Sequence, residues 1–227
     1  MYGCYQSLDL CAVRAATLAS DGSKQGAVVN GGAYNLSPIS LARSPIVSTG
    51  ETLEQRDGCG NICVSITDPD VTTGEDLTLT LCQLDLELIA ILTGGEVLLD
   101  SSGEVIGVEA PDPSATAPLI AFESWTKAYE GSSQVAAPRD NWHWVWPGVK
   151  WNIGNWTIER GVLQVGLTGR ASANANAGSG PFNDWPGAGI QQFFGVFLAS
   201  DIPDADESPY NGNGLSCGFI DLPASAS

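Results

Sequence analysis

The chain has 227 residues, 43% of them hydrophobic and only 15% charged, with 27 Gly and 13 Pro. That is enough polypeptide for one sizeable core and argues for an ordered, turn-rich chain rather than a disordered one. The 26 acidic against 9 basic residues give a formal charge of −17, a surface that repels phosphate and excludes tight wrapping of nucleic acid by Lys and Arg. No stretch is long and apolar enough to span a membrane. The first apolar run, residues 8–19, contains Asp9 and Arg14 and follows no basic segment. No secretory signal is therefore read, and a cytoplasmic start, where disulfides are rare, is expected.

In chain order, residues 8–19 read as a first strand, closed by the Ser20-Asp21-Gly22-Ser23 turn. A second extended region follows over residues 25–47. Residues 48–60 are polar, carry Glu51, Glu54, Arg56 and Asp57, show no helical or strand period, and are expected to form a long loop. Residues 62–67 alternate Ile62, Val64 and Ile66 with Cys63, Ser65 and Thr67, the pattern of a half-buried strand. Residues 76–82 alternate Leu77, Leu79 and Leu81 with polar partners and are expected to pair antiparallel with the strand before.

The period then changes. Leu84, Leu88, Ile91 and Leu92 fall on one helical face, predicting a short helix over residues 85–93 with Asp85 as N-cap and Gly94-Gly95 as its stop. Strands resume at residues 96–99 and 104–108, around the Asp100-Ser101-Ser102-Gly103 hairpin signal. A Pro-rich link leads to a strand at 119–129. The aromatic strand at 141–153 holds Trp142, Trp144, Trp146 and Trp151, and Gly154-Asn155 is expected to turn the chain into a strand at 157–168. Residues 191–198 suit a last strand. The expected organisation is an all-β domain, a sandwich or barrel with one short helix and long inter-strand loops, over residues 1–200, then an acidic tail over 201–227.

Chemistry is hard to find. Gly214-Leu215-Ser216-Cys217-Gly218 matches a nucleophile elbow, but only nine residues follow it and the single histidine, His143, lies far upstream. Cys59 and Cys63, with Cys82, resemble half a zinc knuckle without the second pair, and read better as small apolar residues, Cys63 and Cys82 lying on paired strands. Asp68, Asp70, Gly74, Glu75 and Asp76 miss the register of a calcium loop. His143, flanked by Trp142 and Trp144, reads as a packed strand residue. The three tryptophans Trp142, Trp144 and Trp146 share one face; exposed they would stack on sugar rings, and buried they would fill a sandwich interior or an interface, the preferred reading here. No catalytic, cofactor or metal site is assigned.

One resemblance emerges from the order of several weak motifs. These are Glu54-Gln55-Arg56-Asp57-Gly58-Cys59-Gly60-Asn61-Ile62-Cys63, the Leu-rich strand ending in Cys82, the short helix with Gly94-Gly95, and Glu123-Ser124-Trp125-Thr126-Lys127-Ala128. Trp142-His143-Trp144-Val145-Trp146-Pro147 and Pro181-Phe182-Asn183-Asp184-Trp185-Pro186 complete them. Over residues 8–186 the chain resembles the major tail tube proteins of siphophages, of the actinobacteriophage type. The resemblance implies a structural protein of the virion tail, not an enzyme, assembled in the host cytoplasm. Its partners would be five further copies in a homo-hexameric ring, stacked rings, and the tape measure, tail terminator and distal tail proteins. DNA would pass through the lumen without sequence-specific binding, a role that acidic or neutral walls suit. The loop over residues 48–60 would bridge rings, with Glu51, Glu54, Arg56 and Asp57 in contact, and Glu123 and Glu159 are the lumen candidates. The rival readings are a carbohydrate-binding or virion decoration module using the Trp face, a tail terminator ring protein and, last, a β-rich hydrolase.

Overall fold

A computed structural model describes residues 5–23, 32–35, 38–81, 86–112, 114, 116–130, 136–159, 162–181, 185, 193–199 and 218–220. Over these described residues the chain is mostly β, with one short helix and an antiparallel sheet curled into a half-barrel, as the alternating segments predict. The strands are β1 (Tyr5–Thr17), β2 (Gly32–Asn35), β3 (Pro38–Ser48), β4 (Thr52–Arg56), β5 (Ile62–Thr67), β6 (Val71–Leu81), β7 (Glu96–Leu99) and β8 (Val105–Glu109). After them come β9 (Ile120–Glu130), β10 (Ala136–Glu159), β11 (Val162–Ala171), β12 (Gly195–Ala199) and β13 (Gly218–Ile220), with α1 (Leu86–Thr93) between β6 and β7. Among the described residues the main sheet has nine strands, in the order β13-β2-β1-β9-β10-β11-β6-β3 with β12 added to β10. β4–β5 and β7–β8 are separate two-stranded hairpins.

The core lies inside the curl. Val13 and Ala15 of β1, Phe122 of β9, Trp146, Val149 and Trp151 of β10, and Leu77, Leu79 and Leu81 of β6 point inward and meet Leu88, Ile89 and Leu92 of α1. The Phe122 ring meets Trp151 edge-on at 4.8 Å. Each Val, Leu, Ile or Phe among these, fully buried, contributes roughly 1.5–3 kcal/mol. The middle of the sheet is also covered behind, where Ala121 and Val145 pack with Leu18, Ala177 and Trp185 from the segment that follows β11.

Several expectations are corrected. Residues 48–60 are not a loop: β4 forms there and pairs with β5, Leu53 opposite Ile66 and Glu54 opposite Ser65. β5 is exposed along its whole length rather than half-buried, and it does not pair with β6, which joins β3 and β11. Alternation in β5 therefore marks a two-faced hairpin and not a core strand. Helix α1 is not amphipathic over its described residues; Leu88 to Thr93 are all buried, because apolar residues surround its axis and the sheet, β2 and β8 enclose it. Its stop is as expected, with Gly94 at φ +76° donating its N–H to the Ala90 carbonyl. Leu84 and Asp85 lie outside the described residues.

Gly154-Asn155 does not turn the chain. β10 runs through it with a register shift between Ile153 and Trp156, a bulge against β11, so the strand expected at 157–168 is divided between β10 and β11. The tail expected over 201–227 includes β13, whose Phe219 pairs with Ala33 of β2; residues 201–217, with the Gly-x-Ser-x-Gly match, lie outside the described residues except Gly218.

Candidate functional site

Hairpin β4–β5 carries all four residues expected in ring contacts, and the structure brings them together on one projecting element. Period two puts Leu53, Gln55, Val64 and Ile66, with Ile62, on one face and Thr52, Glu54, Ser65 and Thr67 on the other. The polar face is tied by Thr52 Oγ1 to Thr67 Oγ1 at 3.1 Å, and by Arg56 Nη2 donating to Glu54 Oε2 at 3.1 Å. Among the described residues nothing covers the apolar face: Leu53 is 67% exposed and Ile66 55%.

Asp57 folds the tip. Its Oδ1 accepts the Cys59 and Asn61 N–H groups at 2.9 and 2.8 Å, and its Oδ2 accepts Asn61 Nδ2 at 3.0 Å. The Asn61 side chain, then the Asn61 and Cys59 amides, hold its carboxyl below the usual range. At the base of the hairpin the Asp68 N–H donates to the Glu51 carbonyl, and Gly50 N–H donates to Asp70 Oδ1 at 2.9 Å. A Cβ on Gly50 would lie 1.7 Å from the Asp68 carbonyl oxygen, so only glycine lets the two chains cross there. Cys59 and Cys63 are free and exposed on this hairpin, and Cys63 does not share a strand pair with the strand leading to Cys82. Among the described residues no three His, Cys, Asp or Glu side chains gather as metal ligands would.

The lumen candidates divide. Glu159 ends β10, and its side chain lies outside the described residues. Glu123 is fully buried and lines no surface. It sits on the rear face of β9, where Arg14 is its register partner on β1. Arg14 Nε donates to Glu123 Oε2 at 2.7 Å, Arg14 Nη2 donates to the same oxygen, and Trp185 Nε1 donates to Oε1. His143 Nε2 faces Oε2 at 3.5 Å without forming a hydrogen bond, and its ring stacks on Trp125 at 4.4 Å. Burial, the largest single influence, pushes the Glu123 carboxyl up; Arg14, His143 and Trp185 together outweigh it and hold it below its ordinary value. The cluster is buried, an ion pair that pins β1, β9 and Trp185 together. A single signal in the sequence pointed to it, an arginine between Val13 and Ala15 in the apolar stretch 10–16, and only the register supplies its partner.

The polar face lies elsewhere. On the side of β10, β11 and β6 opposite α1, Lys150, Arg170 and Asp76 form one cross-strand row and Asn152, Thr168 and Thr78 the next. Arg170 Nε donates to Asp76 Oδ1 at 3.1 Å, and these six residues line an open trough. On the Trp-rich strand Trp146 and Trp151 are buried and Trp144 packs partly buried against the same core, while Trp142 is half-buried and outside that core. His143 is a packed strand residue, as expected.

Comparison with family models and with curated proteins finds no match to this chain.

Proposed function

We propose that this chain is a self-assembling structural subunit, a tail tube protein that closes into hexameric rings and stacks them into a conduit for DNA. The observation that carries the reading is the β4–β5 hairpin. An isolated two-stranded hairpin is at best marginally stable in water, yet this one presents Leu53, Ile62, Val64 and Ile66 to solvent. An exposed apolar patch of this kind marks an interaction surface, and a repeated contact between unlike surfaces of one subunit generates rings or filaments. The trough of Asp76, Thr78, Lys150, Asn152, Thr168 and Arg170 carries two cations against one carboxylate, so it is not the acidic or neutral wall that a sliding polyanion requires. The burial of Trp146 and Trp151 counts against a sugar-stacking ladder.

The test is negative-stain electron microscopy of the purified full chain at high concentration, with size-exclusion chromatography. Hollow rings or filaments are expected. Leu53→Asp combined with Ile66→Asp is expected to abolish them while leaving a folded monomer. A wild-type protein that stays monomeric at every concentration, even beside tail initiator proteins, sinks the reading.

A further inference from the structure

We infer that the open seam of the half-barrel is a binding cleft for a small neutral single-ring aromatic bearing a hydroxyl, a ligand of the phenol class. The curl brings β1 and β3 close, but no backbone pairing joins them among the described residues. Between them lies a cleft of about 170 Å³ walled by Leu10, Leu41, Trp144 and Trp146, with Ser124 behind and Arg43 at the mouth. Barrel mouths are a recurrent place for small-molecule sites, and an apolar cavity of about 150 Å³ is known to stay dry and take up benzene.

Three features select the guest. Ser124 lines the cleft, and its buried hydroxyl has no hydrogen-bond partner, a standing cost that a ligand hydroxyl would remove. Both indoles are already fixed: Trp144 Nε1 donates to Thr126 Oγ1 at 3.0 Å and Trp146 Nε1 to Glu75 Oε2 at 3.1 Å. Their rings, 6.5 Å apart and 13° from parallel, therefore offer a preformed aromatic wall without needing a polar partner. Arg43 lies over the Phe194 ring at 4.4 Å, so the mouth already uses a guanidinium against an aromatic face. Its charge faces Glu75 Oε1 at 3.7 Å, which favours a neutral guest over a carboxylate.

This inference stands apart from the tube reading. It is tested by ligand-observed saturation-transfer NMR on the full chain, with phenol as probe and cyclohexanol and benzoate as comparisons. Phenol is expected to bind saturably with a dissociation constant on the order of 1 mM, given its few heavy atoms, and more tightly than either comparison. Ser124→Ala should weaken phenol roughly three- to tenfold, and Leu41→Trp, which fills the cleft, should abolish binding. Absence of transfer to phenol overturns the inference, as does equal binding of cyclohexanol or undiminished binding by Leu41→Trp. Should circular dichroism show Leu41→Trp unfolded, Ser124→Ala decides alone, since it removes one oxygen and unchanged affinity refutes the site. A phenol signal that vanishes as the protein assembles would mean that a second copy fills the cleft, and that too overturns it.

Discussion

Glu123 shows how much one side chain can hold. Its carboxylate accepts from Arg14 and Trp185 inside the protein, so removing it leaves a guanidinium buried without a counter-charge. Breaking a buried pair in this way costs about 3–5 kcal/mol, and Glu123→Gln is expected to lower the urea midpoint accordingly. Trp185→Phe removes a single hydrogen bond to the charged group and should cost about 1.5–3 kcal/mol; a loss as large as that of Glu123→Gln would show that Trp185 matters by packing instead. The pH dependence has a definite sign. The folded carboxyl titrates below its ordinary value. The stability it adds is complete above the unfolded pKa, about 4.3, and is lost as pH falls through the lower folded value. Unfolding free energy measured from pH 6 downward should therefore decline below about pH 4, and Glu123→Gln should flatten that part of the curve.

Hairpin β4–β5 behaves as an element with its own rules. Gly50 lets its two ends cross, so Gly50→Ala, whose Cβ would meet the Asp68 carbonyl at 1.7 Å, must move backbone at the base. Faster amide exchange throughout residues 51–68 is the expected result, with the core amides of β6 and β11 unaffected. Asp57→Ala takes three hydrogen bonds from the exposed tip. It should raise exchange at Cys59 and Asn61 while leaving global stability within about 0.5 kcal/mol; a larger global loss would mean that the hairpin is integral to the core. The hairpin also explains a misreading. Alternation of Ile62, Val64 and Ile66 predicts a strand with an apolar face, and that much is legible. Which surface covers the face is not encoded in a period of two, so a projecting hairpin and a core strand read alike. Helix α1 misleads in the opposite way, because Ile89 and Ala90 were left off the apolar face that spacing picked out and are buried all the same.

At the scale of the molecule, the curl of the main sheet separates three environments: an aromatic interior, a rear face sealed by Trp185, and a polar trough on β10, β11 and β6. The apolar hairpin stands outside all three. Leu53→Asp with Ile66→Asp touches no core residue and is expected to shift the monomer's unfolding free energy by no more than about 0.5 kcal/mol. Its effect belongs to assembly, read as loss of the high-mass peak in size-exclusion chromatography. If the pair instead unfolds the monomer, the apolar face is folded against the body in solution and the assembly reading loses its main support.

The amino-acid sequence alone determines that the chain is β-rich and that a short helix ends at Gly94. These follow from local periodicity and turn chemistry, which act between neighbours in the chain. Tertiary structure decides the rest. Arg14 and Glu123 are 109 residues apart, and only strand register makes them a buried pair instead of a surface charge and a lumen candidate. The polar trough joins β10, β11 and β6, and the Ser124 cleft joins β1, β3, β9 and β10 across the curl. Such sites depend on which strands lie side by side, and local pattern carries no information about that order.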